Sequence, residues 1–321
     1  MTRFDFDSPI ERRGTASIKW SRGEQDGIWV ESAPDSAAPH EVDQLPMWLA
    51  DMDFAAAPAI GAALRDRVEH GIYGYTHYDE RFYAAIARWT ARRHGWEPRR
   101  EWVLTNTGVM PAINLLIQTF TSPGDGVIVQ PPVFHPIPEA ARFNDRVAIA
   151  SPLRLVEGRY EMDMDDLEQK AAVPSTGMMV LCSPHNPVGR VWTSDELAAV
   201  ADICARHDVL LVSDEIHGDL TMAASGFVSA GALANHHDRI IVCTGPSKAF
   251  NLPALKLSLT IIPDPELRAA YETTLRNQNE LWAANLFGAT ALQAAYTEGE
   301  PWLGALLDYL RGNFAYVSEY I

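Results

Sequence analysis

The sequence predicts an α/β fold in which a mostly parallel sheet is covered by helices on both faces. Three observations predict it. Short apolar runs at 102–105, 126–130, 146–149, 178–182, 209–213, 239–243 and 257–262 read as buried strands. Helix-like stretches at 109–120, 163–171 and 194–207 separate several of them, and strands alternating with helices imply a parallel sheet buried on both faces. The chain is also long enough: its 321 residues, 47% hydrophobic and 21% charged, can bury a large core without disulfides or structural metal.

The elements follow in order. Residues 1–45 are polar and irregular, with Gly, Pro, Asp and Ser throughout, and read as an arm. From about residue 56, Ala59, Ile60, Ala63, Leu64 and Val68 fall at helical spacing, and over 80–94 Phe82, Ile86 and Trp89 share one face. The strand–helix alternation then runs to 262. Thr193 and Ser194 before Asp195-Glu196 mark the start of the 194–207 helix. After 263 the chain is helical again, over 267–275, 286–297 and a final stretch. There Trp302, Leu303, Leu306, Leu307, Leu310, Phe314 and Val317 form one apolar stripe, expected to pack on a core. The last residue, Ile321, is still in helical phase with no C-cap signal.

Charge and cysteine usage exclude several functions. With 26 Lys and Arg against 42 Asp and Glu, the net charge is −16, and such a surface repels phosphate backbones and anionic lipid. Nucleic acid and membrane are therefore not expected partners. Cys182, Cys204 and Cys243 are too few and too scattered for a disulfide framework. No signal-peptide core and no apolar run near about 18 residues is present, so a cytoplasmic location is expected. No metal site is expected: His185 and Cys182 share a strand end, but no second ligand pair follows at usable spacing.

In open parallel sheets the site lies beyond the carboxyl ends of the strands, and three such ends carry chemistry. Strand 178–182 runs into Ser183-Pro-His-Asn186-Pro-Val-Gly-Arg190, strand 209–213 into Asp214-Glu-Ile-His217, and strand 239–243 into Thr244-Gly-Pro-Ser247-Lys248-Ala-Phe-Asn251. Singly, these read as a turn-forming Asn-Pro, a capping Asp and a surface Lys. Together they bring an amide, a carboxylate and an amine to one sheet edge.

This set resembles the fold-type I pyridoxal-phosphate enzymes, and within them the carbon–sulfur β-lyase branch, the cystathionine β-lyase-like proteins of MalY/PatB type. The finer match rests on Leu45-Pro-Met-Trp-Leu-Ala-Asp51-Met-Asp53-Phe54, Gly71-Ile-Tyr-Gly-Tyr75-Thr, Gln130-Pro-Pro-Val-Phe134, the Asn186 loop, Ser213-Asp-Glu-Ile-His217 and Ser247-Lys248-Ala-Phe-Asn251. The resemblance implies an aspartate-aminotransferase-like large domain over 46–280, an arm over 1–45 that contributes to a small domain, and the start of that C-terminal small domain over 281–321.

The resemblance also implies roles. Lys248 would bond the aldehyde of pyridoxal 5′-phosphate and serve as the base at the substrate Cα, tasks that need a neutral amine. Asp214 would keep the pyridine nitrogen protonated, Asn186 would donate to the ring oxygen and Phe134 would stack on the ring. His217, where aminotransferases usually carry Tyr, would support the ring side; a structural histidine is the alternative. Gly108, Val109 and Met110, at a strand-to-helix turn, would present N–H groups to the phosphate, and Ser247 would add a hydroxyl. Lys256 would add a cation there or stand as a surface lysine. Tyr75 would reach the phosphate of a neighbouring subunit in a homodimer, or pack as a buried tyrosine.

The reaction implied is β-elimination from an L-amino acid with sulfur on Cβ, such as cystathionine or a cysteine S-conjugate. Aminotransfer begins identically, and residue roles alone do not separate the two. A cofactor-binding regulatory protein is the third reading. The substrate-carboxylate arginine that relatives carry near their C-terminus has no matching motif here, so cofactor binding with weak or absent turnover is expected.

Overall fold

The computed structural model describes residues 4–20, 46–222, 226–279 and 284–321. By compactness the chain divides into two units, Met1–Ala55 and Ala56–Ile321. In the first, Arg12 binds Asp51 (2.5 Å) and Asp53 (2.6 Å), while Lys19 Nζ (2.6 Å) and Trp20 Nε1 (2.7 Å) also bond Asp53. The two motif carboxylates thus fasten the 12–20 segment to residues 51–53. Most of the expected arm, residues 21–45 with Leu45 of the first motif, lies outside the described residues.

The second unit is built on a seven-stranded sheet. Its strands are β1 (Val103–Asn106), β2 (Gly126–Val129), β3 (Val147–Ala150), β6 (Thr176–Cys182), β7 (Leu210–Asp214), β8 (Ile240–Thr244) and β9 (Ser258–Ile261). The order is β1-β9-β8-β7-β6-β2-β3, parallel throughout except that β9 runs antiparallel to β8 and β1. Every residue of β2, β7, β8 and β9 is buried, which is why these strands read as unbroken apolar runs. A short hairpin, β4 (Arg154–Val156) and β5 (Arg159–Glu161), stands apart. Its turn uses left-handed Glu157 (φ 49°) and Gly158 (φ 80°), a hairpin signal that the apolar-run reading passes over.

Helices cover both faces. On one, α3 (Val109–Phe120) and α4 (Pro136–Phe143) pack over Val127, Val129, Met178, Val180, Cys182, Val212, Ile241 and Cys243. On the other, α6 (Ser194–Arg206) brings Cys204 Sγ to 3.9 Å from Met179 Sδ. The expected start of α6 is present as a full capping box, with Thr193 accepting from Glu196 N and Glu196 accepting from Thr193 N. The helix expected over 80–94 is α2 (Glu80–His94), opened by Asp79, whose side chain accepts from Phe82 N, and closed by left-handed Gly95. The remaining helices are α1 (Pro58–His70), α5 (Met164–Ala171), α7 (Pro265–Thr273), α8 (Leu286–Glu298) and α9 (Glu300–Tyr320).

One expectation needs correction. The apolar stripe of the last helix is buried only at Trp302, Leu303, Leu306 and Leu307, whereas Phe314 and Val317 are 66% and 48% exposed. The first half of α9 is where Trp302 stacks on Phe250, whereas residues 311–321 are all exposed. No described helix is long and apolar enough to cross a membrane.

Candidate active site

The strand register aligns the three strand ends. Cys182 of β6 pairs with Asp214 of β7, and Asp214 with Cys243 of β8. Neighbouring strands lie about 4.8 Å apart, so the Asn186 loop, Asp214 and the Lys248 turn leave the sheet side by side.

Asp214 is buried, and its Oδ1 accepts from Ile216 N at 3.2 Å. Burial pushes its pKa up to about 6, while the Ile216 amide and the Lys248 charge pull the other way. His217 is driven down to about 4, by burial first and then by the Lys248 charge, so its imidazole is neutral at pH 7. The Lys248 amine therefore acts electrostatically on both groups.

The lysine turn is held from below. Phe250 N donates to Pro246 O (2.9 Å) and Leu252 N to Ser247 O (2.8 Å). Gly245, at φ 157°, lets the turn approach β9: a Cβ there would stand 3.2 Å from Ser258 Cα. Fully buried Phe250 stacks with Trp302 (5.9 Å between centroids) and meets Trp89 (5.6 Å), which is itself stacked on Tyr296 at 4.7 Å.

The Asn186 loop is tied to the segment carrying Phe134. Phe134 N donates to Asn186 O (2.9 Å), and His185 Nε2 lies 3.0 Å from Pro132 O. Trp192 Nε1 donates to Cys182 O (3.0 Å), and the Cys182 thiol, pushed up to about 12 mainly by burial, accepts from Asn186 N (3.4 Å).

Gly108 is the N-cap of α3, whose first turn has neither a side-chain cap nor an acidic residue. The N–H groups of Val109 and Met110 have no intrahelical acceptor at such a terminus, and its dipole favours an anion. The structure thus brings Phe134 to Asn186 and sets Asp214, His217 and Lys248 in electrostatic contact. Ser247 is half-buried beside the lysine. Lys256 is exposed, on the turn entering β9. Tyr75 is 90% exposed, which removes the buried-packing alternative for it.

Sequence reasoning missed a second cluster. Buried Asp219, two residues past His217, accepts from Trp89 Nε1 (2.9 Å) and Arg93 Nε (2.9 Å), and lies 3.0 Å from His94 Nε2. The spacing of Trp89 and Arg93 on α2, four residues apart on one helix face, was the available signal; nothing in the sequence joined it to Asp219. Among the described residues no three His, Cys, Asp or Glu side chains gather to hold a metal ion.

Comparison with known proteins places the chain in a family. The family model for aminotransferase class I and II matches residues 47–314. The chain is 40% identical over 311 residues to cystathionine beta-lyase PatB of Bacillus subtilis, covering 96% of this chain and 77% of that one. It is 34% identical over 317 residues to protein MalY of Escherichia coli, covering 98% and 78%. Among solved structures, cystalysin from Treponema denticola, containing pyridoxal 5′-phosphate, superposes with a TM-score of 0.89 at 29% identity (99% of this chain, 78% of that one). The PLP-bound C-S lyase of Staphylococcus hominis gives 0.87 at 30% identity (99% and 77%). Fold and strand-edge site define an α/β protein of the aspartate-aminotransferase type. The chain belongs to the aminotransferase class I and II family.

Proposed function

We propose that this protein is a pyridoxal 5′-phosphate-dependent carbon–sulfur β-lyase acting on L-amino acids with sulfur on Cβ. The observation that carries the reading is the register row that sets Asp214 between the Asn186 loop and the Lys248 turn. Relatives named as cystathionine beta-lyase and C-S lyase support the reaction type.

The donor set fits the cofactor. A buried carboxylate with one backbone partner on Oδ1 suits a protonated ring nitrogen, and the uncapped first turn of α3 suits a phosphate. When bound, pyridoxal 5′-phosphate supplies an electron sink next to the substrate Cα. Lys248 would hold the cofactor aldehyde and would serve as the base for the substrate Cα proton, a role worth about 10²–10⁴-fold. Asp214 would keep the ring nitrogen protonated, Asn186 would donate to the ring oxygen, and Phe134 and neutral His217 would hold the ring. Val109 and Met110 N–H, the Gly108 turn and Ser247 would take the phosphate, with Lys256 adding charge. The substrate loses its Cβ sulfur as thiol, and water completes the conversion to pyruvate and ammonia.

The same reading makes residues 46–280 the cofactor-binding domain, 281–321 the start of a small domain and 1–45 its arm. It makes exposed Tyr75 a contribution to the site of a second subunit in a cytoplasmic homodimer. The test is pyruvate and ammonia release from cystathionine with no 2-oxo acid present. Turnover that depends on an added 2-oxo acid would overturn the reading in favour of aminotransfer; bound cofactor with no turnover of any amino acid would favour a regulatory role.

A further inference from the structure

Behind the cofactor side of the sheet, the same strand ends carry polar side chains that the proposed reaction does not use. Alternation along the strands puts Gln130 with Ile128, Ser151 with Ile149, and Ser183 with Met179 and Leu181, on the α6 face opposite Asp214. Gln130 lies beside Ser151, because the β2–β3 ladder continues past both strands: Ser151 N donates to Val129 O (2.9 Å) and Leu153 N to Pro131 O (2.7 Å). Ser183 extends β6 in the same way, its N–H donating to Asp214 O at 2.9 Å. His185 enters from the following loop, with Nε2 on Pro132 O and its ring against the backbone of Gln130 and Cys182.

All four residues are at most 1% exposed. Yet Gln130 Oε1 and Nε2, Ser151 Oγ, Ser183 Oγ and His185 Nδ1 have no hydrogen-bond partner among the described residues. Buried polar atoms in native proteins are paired with protein or with ordered water. Because Nε2 must donate to the Pro132 carbonyl, Nδ1 is an acceptor, and neighbouring carbonyl oxygens do not satisfy it. The set thus mixes two acceptors, one amide donor and two hydroxyls that can do both. An ion serves one polarity only; water serves both.

We propose that Gln130, Ser151, Ser183 and His185 form a built binding site for internal water, which bridges the ends of β2, β3 and β6 behind the Asn186 loop. Its existence does not depend on the reaction proposed above.

The test is ¹⁷O magnetic relaxation dispersion, which counts long-residence waters, on the purified wild-type protein and on Gln130→Met, a swap of similar volume without donors or acceptors. The variant should lose at least one long-lived water; an unchanged count overturns the proposal. Should Gln130→Met not fold, Ser151→Ala takes its place with the same expectation. A high-resolution crystal structure of the wild type should show water density bonded to Gln130 and to His185 Nδ1. Direct protein–protein bonds at these atoms, with no water between, would equally overturn the proposal.

Discussion

Removing the Asp219 carboxylate should destabilise the protein in a pH-dependent way. Asp219 is buried and takes three donors from α2: Trp89 Nε1, Arg93 Nε and His94 Nε2, at 2.9, 2.9 and 3.0 Å. Asp219→Ala leaves the Arg93 and His94 cations without their buried partner, a loss of about 3–5 kcal/mol. Unfolding entropy of about 2.1 cal/mol/K per residue over 321 residues comes to about 0.7 kcal/mol/K, so the melting temperature should fall by about 4–7 °C. The pH dependence follows from two shifts. Burial pulls His94 down, but the charge and hydrogen bond of Asp219 outweigh it and hold the imidazole above its ordinary value. Its contribution is therefore full below about pH 6.5 and fades as pH rises through the folded value. Burial pushes Asp219 up, but His94, Arg93 and Trp89 outweigh it and hold the carboxyl below its ordinary range. Its contribution is full above about pH 3.9 and is lost as pH falls through the folded value. Glu215, pushed up to about 7 by burial and also facing His94, is present in both proteins. Scanning calorimetry should thus show the widest gap between wild type and variant at about pH 4–6.5, narrowing on the alkaline side to what Arg93 and Trp89 supply. A gap under about 1 °C at pH 5.5, or one that stays constant as pH rises, would refute this account.

Other expectations follow from single residues. Lys248→Ala should abolish the borohydride-reducible linkage to pyridoxal 5′-phosphate, seen as loss of label on the peptide containing residue 248; a surviving label would place the linkage elsewhere. Because burial raises Asp214 to about 6, it favours its protonated form and resists the charge that a protonated ring requires. Cofactor affinity, measured by fluorescence titration, should therefore rise with pH through about 6 in the wild type, and Asp214→Asn should lack that component. At Gly299 an added Cβ would stand 2.5 Å from both Ala295 O and Phe250 Cε1. Gly299→Ala should therefore cost about 1–3 kcal/mol and weaken cofactor binding through the lysine turn; unchanged denaturant unfolding would disprove the contact.

Much of the fold was legible because buried parallel strands need unbroken apolar runs, and all seven sheet strands were found within two residues at either end. The α6 start was legible because a capping box is local, four residues carrying both hydrogen bonds. α4 was missed: Pro136-Ile-Pro-Glu opens a short helix behind a proline-rich loop, where turn signals mask it. The exposed half of α9 was misjudged because periodicity marks a face as apolar but cannot say whether anything covers it. The site motifs Asn186, Asp214 and Lys248 stood out as polar residues just past apolar runs, whereas the Asp51 and Asp53 carboxylates gave no hint that Arg12, Lys19 and Trp20 hold them.

The sequence by itself determined the strand and helix pattern, the polar residues at three strand ends and, through the spacing of its motifs, the family, because each depends on neighbours within a few positions. The tertiary structure decided which strand ends stand side by side, that Lys248 acts on both Asp214 and His217, and that an aromatic cluster more than 200 residues wide in sequence, Trp89 to Trp302, holds the lysine turn. It also left polar atoms of Gln130, Ser151, Ser183 and His185 buried without a hydrogen-bond partner among the described residues. Those outcomes depend on strand order and register, long-range pairings set by how the whole sheet buries its two faces, which no local stretch of sequence encodes.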